Sequence, residues 1–216
     1  MSPRPKAYLF DFDLTLADSS AGIISSAQAA LDQMDFPVPD ADAVRRSIGL
    51  PLEASFTFLT ANHDAALAKT YSRYFVAHAD KVMVAMTHFY PSVPPLLGHL
   101  RKQGIRVGIV STKFRYRIDA ILRHAGLEPY VDIVVGGEDV ARHKPHPEGI
   151  RKALGAIAVA PADAVYVGDH IMDAQAARAA GTRFIGAVTG SIGYADWQAE
   201  GESAVRKDLS ELLDIA

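Results

Sequence analysis

Cysteine is absent from the chain, which excludes disulfide stapling, thiolate catalysis and a structural cysteine–zinc site together. Long apolar runs are absent as well. No stretch approaches the ~20 residues that a membrane-crossing helix needs, and the one N-terminal run that starts like a signal-peptide core is broken by Asp11 and Asp13. Neither sign of charge is in excess: 22 Lys and Arg face 25 Asp and Glu, a net of −3, so no general field draws the protein toward nucleic acid or anionic lipid. There is no internal repeat and no low-complexity tract. These absences lead to the expectation of a soluble, cytoplasmic protein, monomer or homodimer, with no nucleic-acid and no membrane partner. Any small anionic ligand has to be recognised by local groups.

What the chain does contain is an alternation. Short apolar runs at 7–12, 105–110, 131–135, 164–167 and 183–188, all but the first carrying Val or Ile, are bounded by Gly or polar residues, the pattern of strands buried on both faces. Helical patterns fill the gaps at 94–102, 114–124, 147–154 and 173–180, and Gly104, Gly126, Gly155 and Gly181 stand where helix C-caps favour a residue tolerant of positive φ. The alternation predicts an α/β fold with a Rossmann-like open parallel sheet.

One interval is too long. A parallel crossover needs about a dozen residues, yet roughly 90 separate the first strand from the second. The surplus reads as helical: Ser19 or Ser20 can cap a helix with Ile23, Ala27, Ala30, Leu31 and Met34 on one face, and Leu67, Tyr71, Tyr74, Phe75 and His78 line another. The expected organisation is a discontinuous α/β core of residues 1–16 and 88–216, with a helical cap of residues 17–87 inserted after the first strand.

In open α/β sheets, ligands bind outside the carboxyl ends of the strands. Asp11, Asp13 and Thr15 follow the first strand, Ser111 and Thr112 the second, and Asp169 and Asp173 the fourth, while Lys144 precedes the helix at 147. Such a topology gathers carboxylates and a lysine on one rim. Taken in order, DFDLT at 11–15, IVST at 109–112, HKP at 143–145 and GDHIMD at 168–173 resemble the four motifs of the haloacid dehalogenase superfamily, in its branch with a helical cap inserted after the first motif. The resemblance spans nearly the whole chain, and four ordered motifs are far more specific than any one of them. IGLPLEASF at 48–56 and VSTKFRYRI at 110–118 are similar to the phosphoglycolate phosphatase and pyrophosphatase-type members. The chain departs from the pattern at Leu14, where the first motif usually has Gly; a bulkier residue there bears on the geometry of the turn more than on the chemistry.

The resemblance implies a Mg²⁺-dependent phosphohydrolase acting on a small phosphorylated metabolite through an aspartyl-phosphate, with phosphoglycolate the first substrate and inorganic pyrophosphate the second. The residue types suit that chemistry. A phosphate monoester repels nucleophiles, so its transfer depends on alignment and on charge stabilisation, and a carboxylate can attack once cations neutralise the phosphoryl oxygens. Asp11 is the expected nucleophile. Asp13, on the same side of an extended chain, is expected to protonate the leaving oxygen and later to activate water. Asp11 and Asp169 are the expected Mg²⁺ carboxylates, joined by resemblance by the Asp13 backbone carbonyl. Asp173 is either a support behind the metal ligands or only the acid of a helix N-terminus, and His170 is read as a loop residue aimed elsewhere, since imidazole suits zinc better. Ser111 and Thr112 are phosphate-binding candidates at a helix start, where Ser111 can also act as a cap. By resemblance Lys144 meets the phosphoryl group and Asp11. Thr15 is expected to orient the loop.

Specificity falls to the cap loop of Gly49, Leu50 and Pro51, which the resemblance places over the active site, and to the cations Arg45, Arg46, Lys113 and Arg115, candidates for an anionic leaving group. Three other readings use the same residues. A dehalogenase needs neither Mg²⁺ nor a second acid, so Asp13, Asp169 and Asp173 count against it. A phosphomutase of the β-phosphoglucomutase type keeps all four motifs. A non-catalytic binding module predicts an eroded motif, and none departs beyond Leu14.

Overall fold

The computed structural model describes residues 4–190, 192–202 and 204–213. The chain forms two compact units, one of Met1–Ala17 with Phe89–Ala216 and one of Asp18–His88. β1 (Ala7–Phe10) is wholly buried, which is why it reads as an unbroken apolar run instead of alternating. The chain then passes through β2 (Ala17–Asp18), α1 (Ser20–Asp32), α2 (Ala41–Arg45), α3 (Leu52–Thr60), α4 (Ala65–Val82) and β3 (His88–Phe89). It continues as α5 (Val93–Lys102), β4 (Arg106–Val110), α6 (Arg115–His124), β5 (Ile133–Val135), α7 (Glu148–Ala156), β6 (Ala164–Gly168), α8 (Ile171–Ala180), β7 (Arg183–Ala187), α9 (Tyr194–Ala199) and β8 (Val205–Arg206).

The larger unit is an α/β layer structure around a six-stranded sheet in the order β5-β4-β1-β6-β7-β8, all its neighbours parallel. Leu9 and Tyr166 lie on the face packed with Ile150, Ala153 and Leu154 of α7 and Ala176, Ala177 and Ala180 of α8. The sequence runs outward from β1 through β4 to β5, then resumes on the other side of β1 with β6. That reversal, between β1 and β6, is the crevice where doubly wound sheets bind ligands. Phe10 pairs in register with both Ile109 and Val167, so the chain segments leaving β1, β4 and β6 emerge side by side.

Several boundaries differ from the sequence pattern, with identifiable causes. β1 stops at Phe10 instead of running to 12, because Leu16 N donates to Phe12 O at 3.0 Å and Leu14 N donates to Ala17 O at 2.8 Å, closing a turn. Gly104, Gly126 and Gly181 do take positive φ, 69°, 69° and 84°, but Gly155 does not close α7. That helix runs through it to Ala156, and the left-handed residue is Ala158 at φ 54°, held by Val159 N donating to Leu154 O at 3.1 Å while Ile157 and Val159 pack on the core. β8 was not legible at all: two residues, Val205 and Arg206, carry no periodicity.

The smaller unit is helical, with α4 packed against α1 and α3. Its aromatic core steps from Phe36 to Phe56 (ring centroids 5.5 Å apart), to Tyr71 (5.6 Å) and to Phe75 (5.9 Å). Ser19 occupies the N-cap of α1 without a side-chain capping bond; Asp18 does that work, its Oδ1 accepting from Ser20 N at 2.9 Å and Ser20 Oγ at 2.6 Å. Met34 lies beyond the end of α1, outside the expected face. Among the described residues no helix is long and apolar enough to cross a membrane.

Candidate active site

Among the described residues, everything charged and buried in the larger unit, apart from Arg117, gathers at the carboxyl ends of β1, β4 and β6: the carboxylates of Asp11, Asp13, Asp169 and Asp173 and the ammoniums of Lys113 and Lys144. Buried charges persist only with partners, and the partners define the site. Lys144 Nζ stands 2.9 Å from Asp11 Oδ1 and 2.6 Å from Asp173 Oδ1, over the face of Tyr166. Tyr166 Oη donates to Val110 O at 2.9 Å and lies 3.3 Å from Asp173 Oδ1. Lys113 Nζ pairs with Asp13 Oδ1 at 2.8 Å. Thr15 Oγ1 donates to Asp169 Oδ1 at 2.7 Å, so this threonine orients a carboxylate as well as the loop.

Asp173 takes the helix N-terminal role weighed for it and also holds Lys144. Its Oδ2 accepts from His170 N at 3.0 Å, closing a capping box on α8, while Oδ1 faces Lys144. His170 is the N-cap, its Nδ1 accepting from Met172 N at 3.2 Å. Ser111, in contrast, does not cap α6: Phe114 occupies the N-cap, and Ser111 Oγ accepts from Lys113 N at 3.3 Å. Thr112 lies between them in the same loop. Arg115 reaches away to Asp139 at 2.9 Å. Arg45, Gly49 and Leu50 belong to the helical unit, where Arg45 ends α2 and Gly49 takes φ 95° in the turn before α3.

Electrostatics follow from this crowding. Burial pushes the Asp11 carboxyl up to about 6, with Lys144 opposing and Asp173 and Asp13 adding to the rise. Burial likewise holds Asp169 well above the usual carboxylate range, reinforced by the negative charges of Asp11 and Asp173. Lys144 loses solvation, yet Asp11 and Asp173 outweigh that and raise it well above its ordinary value. Oxygens of Asp11, Asp169 and Asp173 all lie within 4.8 Å of one another. Three buried carboxylates sharing one ammonium are short of positive charge, and an all-oxygen donor set is what a hard divalent cation takes. The residues fit Mg²⁺.

Leu14 sits in the left-handed region at φ 59°, the conformation glycine adopts without cost. The turn therefore keeps a glycine-like geometry, and Leu14 O accepts from Thr189 Oγ1. Leu14→Gly relieves about 1 kcal/mol of backbone strain but gives up the burial of a leucine, about 2 kcal/mol, and loosens the unfolded chain. A net loss of about 1–2 kcal/mol in urea denaturation, with turnover within about threefold, is expected.

Tyr166 and Gly190 are parts of the site that the sequence does not announce. A tyrosine in a strand buried on both faces carries no sign of which face it takes. Gly190 lies beside Asp169: a Cβ there would stand 2.0 Å from Asp169 Oδ2. Gly190→Ala must displace that carboxylate, and a 10–100-fold loss of Mg²⁺ affinity is expected in a metal titration of activity.

Fold and site together meet a known group of proteins. Residues 8–187 match the haloacid dehalogenase-like hydrolases, and the chain belongs to that family. It is 31% identical to a phosphoglycolate phosphatase of Xanthomonas campestris, with 91% of this chain and 90% of that protein aligned. It is also 31% identical to the pyrophosphatase PpaX of Bacillus velezensis, over 98% and 96% of the two chains. A solved Bacteroides fragilis structure assigned to the haloacid dehalogenase-like hydrolases superposes with a TM-score of 0.93 at 40% identity, covering 97% of this chain and 100% of the other.

Proposed function

We propose that this enzyme is a Mg²⁺-dependent phosphatase that cleaves a small phosphate ester, phosphoglycolate or a near analogue, through an aspartyl-phosphate on Asp11. The observation that carries the reading is the placement of Asp11 at the crevice between β1 and β6, ion-paired to a buried lysine, with a second acid two residues on. Asp11 attacks phosphorus, and the bond to the leaving oxygen breaks as Asp13 gives that oxygen a proton. Asp13, now a carboxylate, takes a proton from water, which attacks the same phosphorus and returns Asp11 with release of inorganic phosphate. Lys144 holds the orientation of Asp11 between reactions and lies within reach of the phosphoryl oxygens, with the Ser111–Thr112 loop as further donor. Asp11 and Asp169, with Asp173 behind them, would hold Mg²⁺, which when bound neutralises charge on the phosphoryl group.

Phosphate release with Mg²⁺ and with chelator, across phosphoglycolate, pyrophosphate, sugar phosphates, nucleotides and an aryl phosphate, tests the reading. Metal-dependent release concentrated on phosphoglycolate supports it. A preference for pyrophosphate moves the substrate to the second candidate, and silence on the whole panel overturns the phosphatase.

A further inference from the structure

The two buried lysines of the site are not equivalent. Lys144 is shared by two carboxylates and an aromatic face. Among the described residues Lys113 has one ionic partner, Asp13, and lies over the Phe12 ring at 5.9 Å. An ammonium has three N–H donors, so Lys113 keeps capacity for a second anion. Its backbone is fixed at both ends, the N–H donating to Ser111 Oγ at 3.3 Å and the carbonyl accepting from Gly137 N at 3.0 Å. The neighbouring chain is equally tight: a Cβ on Gly137 would stand 2.4 Å from Thr112 O. A buried cation built this firmly beside one acid of the site is a fixed recognition element.

We infer that Lys113 selects substrates whose leaving group carries its own negative charge close to the ester oxygen. The inference rests on the phosphatase reading and deepens it. In that reading Asp13 serves the leaving oxygen, so an ammonium 2.8 Å from Asp13 Oδ1 lies on the leaving-group side of the scissile bond. A carboxylate or phosphate one or two bonds beyond the ester oxygen comes within reach of the same ammonium and is held by a charge-assisted bond. A neutral alcohol of the same size leaves that donor without a partner, and a site with an unpaired buried polar group rejects such analogues strongly. The substrate class is therefore the phosphate esters of short hydroxy acids, with pyrophosphate as the inorganic counterpart.

The test compares kcat/KM for phosphoglycolate and for its neutral isostere 2-hydroxyethyl phosphate, with p-nitrophenyl phosphate as a general reporter. Wild-type enzyme should prefer phosphoglycolate by about 30-fold or more, the worth of one charge-assisted bond. In Lys113→Met both rates fall, since Asp13 loses its partner, but the preference collapses to within about threefold; in Lys113→Arg, which keeps the charge, most of it remains. Equal losses on both esters in Lys113→Met would reduce Lys113 to a positioning residue for Asp13 and overturn the inference. So would a wild-type enzyme that hydrolyses p-nitrophenyl phosphate yet does not distinguish the pair, a result that needs no variant to fold. No Mg²⁺-dependent release from any of the three is the separate failure of the phosphatase reading.

Discussion

Asp11→Asn is expected to lower turnover by about 10,000-fold or more while the protein stays folded. The amide has nearly the same shape but cannot form the acyl phosphate, so the loss falls on the chemical step. The stability of this variant should move the other way. With its carboxyl at about 6, Asp11 sits above the ordinary carboxylate value because its charge is buried beside Asp173 and Asp13. Removing that charge is expected to stabilise the metal-free protein at pH 7.5 by about 1–3 kcal/mol, the trade between activity and stability seen where sites concentrate like charge. Urea denaturation beside a phosphate-release assay reads both effects. An active Asp11→Asn enzyme would remove the nucleophile from the mechanism.

Lys144→Met should show the converse, losing both activity and stability. It leaves Asp11 and Asp173 buried without the cation that holds them, and breaking a buried pair in this way costs about 3–5 kcal/mol. The pH dependence separates this cause from lost packing. In the wild type the folded state keeps a proton on Asp11 up to about pH 6, whereas the unfolded chain releases it near the usual carboxylate value. Between those limits the folded state binds more protons on Asp11, so its contribution to metal-free stability falls as pH rises through about 4 to 6, by on the order of 3 kcal/mol, and the raised Asp169 adds a fall in the same direction. Without Lys144 the two carboxylates are harder still to ionise. The deficit of the variant should therefore be largest above pH 7 and should shrink toward pH 4.5, in chelator. An equal deficit at both pH values would mean that the methylene stem of Lys144, and not its charge, carries the effect.

The fold was legible where the sequence broke a physical rule or kept one strictly. Acids directly after an apolar run, at Asp11, Asp13 and Asp169, conflict with strand burial and so point to the sheet's carboxyl edge. The short apolar runs of β1, β4, β5, β6 and β7 read as strands because both faces are covered. Features set by tertiary contact were not legible. Nothing in the spacing of Lys113 and Asp13 tells that one will hold the other, and Tyr166 gives no sign that it supports Lys144. Gly155 looked like a helix end, but the packing of Ile157 and Val159 carries α7 past it. Leu14 looked like a departure from glycine geometry, yet the backbone adopts that geometry regardless. The bonds from Leu14 N to Ala17 O and from Thr189 Oγ1 to Leu14 O around this turn explain how a leucine is held there.

The most direct measurement is an acid-quenched single turnover with phosphorus-radiolabelled phosphoglycolate and Mg²⁺, followed by peptide mapping. The expected result is transient label on the peptide containing Asp11, released by hydroxylamine as an acyl phosphate would be, and absent from Asp11→Asn. Full phosphate release with no label on the protein at any quench time, or label on another residue, would contradict the mechanism.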